Sequence, residues 1–153
     1  MPRPKKRKVY SDHVPGCKVV RLAQDGDCFY EAIRVAFASS DHCAASCARE
    51  PLAFPEESGV VRLRRCVSRR VDDGVYETFK MLYGCGLDDF SFMRRLPDAA
   101  ALRARLCVSG AESGTNRCVW ANDFEITTLC EALGLVALIV DCEASAEGRF
   151  VAL

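Results

Sequence analysis

The spacing of apolar residues along this chain changes several times, and each change predicts an element. Cys17-Lys18-Val19-Val20-Arg21-Leu22 alternates imperfectly, which predicts a short strand. From Cys28 the spacing becomes helical, with Phe29, Ala32, Ile33, Ala36 and Phe37 on one face. This first long helix is expected to run to about Ala38, where Ser39-Ser40-Asp41 ends it. Pro51 and Pro55 bracket a loop, and Glu56 and Glu57 then open a second helix over residues 56–71. Val60, Leu63, Val67 and Val71 form its apolar stripe, and Arg62, Arg64, Arg65, Arg69 and Arg70 read as a solvated remainder.

Asp72-Asp73-Gly74 reads as a turn before a third helical face of Val75, Tyr76, Phe79, Leu82 and Tyr83, closed by Gly84. Phe90, Phe92, Met93 and Leu96 read as a packing insert, and Pro97-Asp98 opens a short helix through Leu106. Residues 109–117 form a polar loop suited to gating access to a site. Asn122 and Glu125 have the spacing of a capping box, ahead of the stripe Ile126, Leu129, Cys130 and Leu133. Trp120 reads as a core or sheet-edge anchor. The apolar run 135–140 predicts a central strand, and residues 149–153 begin another, so a further stretch of chain is expected. The fold class expected is α+β, with a small central β-sheet packed between helices.

Composition refines this picture. Half the residues are hydrophobic, which argues against general disorder, and 153 residues suffice for one core. Residues 1–10 are expected to be a tail and 11–153 the domain. No apolar run is long enough to span a bilayer, and the N-terminus lacks a signal-peptide core, so an intracellular protein is expected. In that compartment the ten cysteines stay reduced, and Cys17, Cys66, Cys107, Cys118, Cys130 and Cys142 read as core filler. Cys43 and Cys47, beside His42, lack the second pair that structural zinc needs, and neither metal nor cofactor is expected. Charge is uneven. Arg3, Lys5, Lys6, Arg7 and Lys8 fall in the tail, leaving 16 basic against 21 acidic residues, or minus five, for the body. That balance argues against general nucleic-acid binding.

The chemistry centres on Asp25-Gly26-Asp27-Cys28. Asp25, Gly26 and Asp27 read as a tight turn, with Asp27 as N-cap and Cys28 as the first residue of the helix. A thiol there faces unsatisfied backbone N–H groups and the positive end of the helix dipole, and both favour the thiolate. The same N–H groups can hold an oxyanion beside the sulfur.

Asp25-Gly26-Asp27-Cys28-Phe29-Tyr30 with Ala32 resembles the nucleophile motif of the ovarian-tumour (OTU) cysteine proteases, mostly deubiquitinases and including viral members. Trp120-Ala121-Asn122-Asp123-Phe124-Glu125-Ile126, with Leu129 and Leu133-Gly134, is similar to that family's Trp-Gly-x-x-x-Glu-Leu helix, with Ala121 in place of the usual Gly. Leu63-Arg64 and the pair Tyr76 and Phe79 sit where the family often has Leu-Arg and Tyr-x-x-Phe. The resemblance spans residues 17–153. It implies a deubiquitinase with Cys28 as nucleophile, Asp25 bracing the turn, Gly26 and Asp27 in the oxyanion turn, and ubiquitin or a ubiquitin-like protein as partner. One departure stands out. The family's catalytic His lies on a late strand, whereas this chain has only His13 and His42.

Two other readings remain open: an OTU-like module that binds ubiquitin without cutting it, and a nuclear nucleic-acid-binding factor using the basic tail and the Arg-rich helix. Pro4-Lys5-Lys6-Arg7-Lys8-Val9 resembles a monopartite nuclear-import signal, which implies an import receptor as partner through Lys5, Lys6, Arg7 and Lys8. Nucleus, cytoplasm or both are the expected locations.

Overall fold

Short polar side chains decide where the helices begin. The computed structural model describes residues 22–38, 59–139 and 151–152. Helix α1 spans Cys28–Ala38, α2 Gly59–Ser68 and α3 Asp73–Gly84. Asp72 caps α3 by accepting from the N–H of Val75 at 2.8 Å. A 3-10 helix follows over Asp88–Arg95, where the packing insert was expected. Helix α4, Ala99–Leu106, is capped by Asp98, which accepts from Ala101 at 2.8 Å. A single turn, α5, covers Gly110–Ser113, and α6 covers Asp123–Leu133. The capping box of α6 has the expected form: Asn122 Oδ1 accepts from Phe124 at 2.9 Å, and Glu125 Oε2 accepts from the N–H of Asn122 at 3.1 Å.

Helix α2 is the hub, packing against α1, α4 and α6. Its Leu63, Cys66 and Val67 meet Tyr30 and Ile33 of α1, Leu102 and Leu106 of α4, and Leu129 and Leu133 of α6 in one buried cluster. On the other side of the core, Phe79 of α3 makes edge-to-face contacts with Phe90 at 5.0 Å and Phe124 at 5.5 Å.

The α+β expectation is corrected here. The described residues build their core from helices, with no central sheet. The one ladder among them is antiparallel and two residues deep, pairing Leu138 (β1, Leu138–Ile139) with Ala152 (β2, Val151–Ala152), and Ile139 with Val151. The apolar run from Leu135 was misleading because its first residues extend the end of α6. The N–H of Leu135 bonds back to the Cys130 carbonyl at 2.8 Å, and Val136 is 93% exposed, which no central strand position would be. Helix 56–71 is observed as Gly59–Ser68, and the expected strand over residues 17–22 lies, except for Leu22, outside the described residues.

Candidate functional site

The turn before α1 is assembled from inside the protein. Asp25 Oδ1 accepts from the N–H of Asp27 at 3.0 Å, closing the turn on itself. Gly26 has φ +89°, the left-handed region. A Cβ at Gly26 would also lie 2.2 Å from Cys118 Sγ, with Trp120 Nε1 3.3 Å away. The chain then enters α1, where the Asp27 carbonyl accepts the first helical bond, from Glu31, at 2.8 Å.

Asp27 therefore occupies the N-cap position, but its side chain does not cap. The carboxylate turns into the protein, accepting at Oδ1 from Arg64 Nε at 2.7 Å and at Oδ2 from Ser109 Oγ at 2.7 Å and the N–H of Ala111 at 2.9 Å. Burial by itself would raise its pKa. The N–H of Ala111, the Ser109 hydroxyl, the N–H of Gly110 and Arg64 outweigh that and hold it below the ordinary value. Among the described residues the first N–H groups of α1, beginning at half-buried Cys28, have no hydrogen-bond acceptor, and they lie at the positive end of the dipole.

Arg64 is the residue that sequence reasoning misplaced. Read as part of a solvated face, it is 0% exposed. Its guanidinium donates to Asp27, to the Gly26 carbonyl at 2.8 Å, to the Val119 carbonyl at 3.1 Å and to the Leu106 carbonyl at 3.3 Å. The cation also lies 4.3 Å from the ring centre of Tyr30, itself fully buried. One side chain thus ties together the turn before α1, the end of α4 and the segment leading to α6. The helical spacing held a signal for this: Val60, Arg64, Val67 and Val71 recur at steps of three and four, which places Arg64 on the apolar face. With Arg64 buried, the Arg-rich helix does not present one continuous basic face.

The loop expected as a gate is anchored at both ends. Ser109 and Ala111 bond Asp27, and Cys118 Sγ lies 3.5 Å from the Asp25 carbonyl. Gly110 lies so close to the turn that a Cβ there would lie 1.7 Å from the Asp25 carbonyl oxygen. The segment reads as a collar fitted to the turn before α1, buried at Ser109 and Gly110 and mostly exposed from Ala111 to Arg117.

Beside Arg64 are two groups that sequence reasoning did not single out as buried. Glu125 is 0% exposed, and burial pushes its carboxyl up to about 7 against the N–H bonds and Arg64, which pull it down. Burial, with Glu125 adding to it, raises the Tyr30 hydroxyl far above its ordinary range. Tyr30 Oη and Glu125 Oε1 have no hydrogen-bond partner among the described residues. Trp120 is not a core anchor: it is 49% exposed. Cys66 and Cys118 are buried as expected, and burial pushes the Cys118 thiol up.

His13 and His42 lie outside the described residues, as do Cys43 and Cys47. Among the described residues no three metal-ligating side chains gather. No helix among them is long and apolar enough to cross a membrane. No family model, curated protein or solved structure matches the chain.

Proposed function

We propose that this chain is an OTU-like cysteine-type hydrolase that cuts the isopeptide or peptide bond following a ubiquitin-type C-terminus, with Cys28 as nucleophile. The observation that carries the reading is the direction of the Asp27 carboxylate. It points to Arg64, Ser109 and Ala111, so among the described residues no side chain caps the helix N-terminus beside Cys28, while the turn around it is fixed. A thiolate at that position attacks the carbonyl carbon, and the carbonyl electrons move onto an oxygen facing free N–H groups. Collapse of that intermediate expels the amine, which takes up a proton, and leaves a thioester on Cys28. Water then hydrolyses the thioester and regenerates the thiol. Asp25 serves the turn by accepting from Asp27, which commits that N–H and leaves those of Gly26 and Cys28 as oxyanion donors.

The chemistry needs a base to take the thiol proton and return it to the leaving amine, ordinarily a His. The histidines of this sequence are His13 and His42, and a second reading is that the same OTU-like surface holds ubiquitin without cutting it. The basic tail extends either reading to the nucleus, through an import receptor that reads Lys5, Lys6, Arg7 and Lys8.

A ubiquitin probe with a C-terminal electrophile distinguishes the outcomes. Labelling of the wild type and none of Cys28→Ala is the result expected of the hydrolase. Ubiquitin binding with no labelling supports the holding module. Neither labelling nor binding removes both readings.

A further inference from the structure

The peptide planes of the turn before α1 are held from the side of the collar. No peptide bond among the described residues is cis, so each carbonyl points opposite to the N–H that follows it. The Asp25 carbonyl faces the collar. Its oxygen lies 1.7 Å from where a Gly110 Cβ would be, and 3.5 Å from Cys118 Sγ. The Gly26 N–H, in the same plane, is therefore turned away from both. Arg64 holds the Gly26 carbonyl, and Glu31 the Asp27 carbonyl, at 2.8 Å each, which sends the Cys28 N–H out of the helix start. Among the described residues neither the Gly26 nor the Cys28 N–H has an acceptor. The φ of +89° at Gly26 is the value a type II turn has at its third residue. A type I turn differs by rotation of the middle peptide, here Asp25–Gly26. Glycine adopts either form at little cost, so its neighbours select the orientation.

We propose that Gly110 and Cys118 are positioning residues for the hydrolysis: they hold the Asp25–Gly26 peptide with its N–H outward as an oxyanion donor, and release it to turn over when the collar lifts. Gly110 acts by its size, since only a hydrogen fits against the Asp25 oxygen. Cys118 acts as a donor. Burial raises its pKa, so it keeps its S–H, and that one hydrogen serves two carbonyls, Asp25 at 3.5 Å and Thr115 at 3.4 Å. The thiol thereby links the collar's own chain to the turn. In the turned-over form the Asp25 oxygen takes the outward side and repels a developing oxyanion. Seating and lifting of the collar thus switch the donor on and off. The inference rests on the hydrolase reading and adds regulation of its oxyanion site by residues 109–118.

The test uses the full chain and two ubiquitin probes that differ in their chemistry at Cys28. Ubiquitin aldehyde takes the sulfur at its carbonyl carbon, and the carbonyl electron pair moves to an oxygen that takes up the thiol proton. With a C-terminal 2-bromoethylamide of ubiquitin the sulfur displaces bromide, and no oxyanion forms. Cys118→Ala is expected to weaken aldehyde binding about tenfold, less than the loss of a whole oxyanion donor, and to leave the alkylation rate within about twofold. Cys118→Ser keeps a donor and is expected to recover most of the aldehyde binding. Circular dichroism melts identify any variant that has lost its fold. Equal losses with both probes would mean a merely structural role and overturn the proposal. So would undiminished aldehyde binding by folded Cys118→Ala, or a serine variant as weak as the alanine one. Crystal structures of wild type and Gly110→Ala read the peptide without any reaction. A Gly26 φ that turns negative in the variant upholds the held peptide, and an unchanged φ overturns it. A wild type that reacts with neither probe removes the hydrolase reading, and the two crystal structures then decide the role of the collar by themselves.

Discussion

Arg64 and Asp27 form a fully buried ion pair, Nη2 to Oδ1 at 2.6 Å, between the central helix α2 and the residue preceding Cys28. Removing one partner strands the other in a medium that solvates it poorly. Arg64→Met is therefore expected to cost about 3–5 kcal/mol of stability, read from urea unfolding midpoints. Arg64→Lys should recover only part of the loss, because an ammonium cannot reach Asp27 and the carbonyls of Gly26, Val119 and Leu106 together. A lysine variant as stable as wild type would show that charge alone matters here.

Two glycines give opposite expectations for one substitution. Gly110→Ala puts a methyl group against the Asp25 carbonyl and should cost about 1–3 kcal/mol while prising the collar from the turn. Alkylation of Cys28 by iodoacetamide should change rate in the same variant. Gly84→Ala meets nothing within 4 Å at the last turn of α3, and should be neutral or stabilise by up to about 1 kcal/mol. Thermal melts of the two variants check both statements.

Stability should depend on pH through Glu125. Its carboxyl titrates near 4.5 when unfolded and near 7 when folded. Between those values the unfolded chain has released a proton that the folded chain retains, so unfolding gains on folding as pH rises. The contribution is complete below 4.5 and is lost as pH rises through about 7. Glu125→Gln removes it, so unfolding midpoints of that variant should fall less than those of wild type over this window. Asp27 acts in the opposite sense, since its depressed pKa contributes stability above 3.8 that is lost as pH falls through the folded value.

The α6 cap gives a local test. Asn122→Ala removes the acceptor for Phe124 and should cost about 1 kcal/mol. Asn122→Asp, which keeps an acceptor and adds negative charge at the helix start, should retain most of that stability. Equal losses in both variants would mean that the contact of the Asn122 side chain with its surroundings matters more than the cap.

How legible this was in the sequence varied with the kind of interaction. Caps at Asp72, Asp98 and Asn122 involve neighbours in the chain, so their residue types announce them. The helical stripes of α2, α3 and α6 were visible for the same reason, whereas in α1 Ala32 and Ala36 of the expected face are exposed and Tyr30 is buried instead. The central sheet was not a safe reading, because six apolar residues in a row suit a strand or the packed exit of a helix equally. Leu135 and Val136 show that the helix exit prevailed. Arg64 was hidden by its type: arginine defaults to solvent, and its acceptors lie 37 to 55 residues away in the chain. The diversion of Asp27 from its own helix was hidden for the same reason, since Ser109 is 82 residues distant.

The glycine turn also has an optical consequence. Trp120 is the single tryptophan of the chain, and its indole lies against Gly26 together with the Cys118 thiol. Indole emission responds to the polarity around the ring and is quenched by neighbouring sulfur. The fluorescence of the unlabelled protein therefore reads out the packing of the segment that presents Cys28. Adduct formation and collar opening can each be followed in real time without adding a dye.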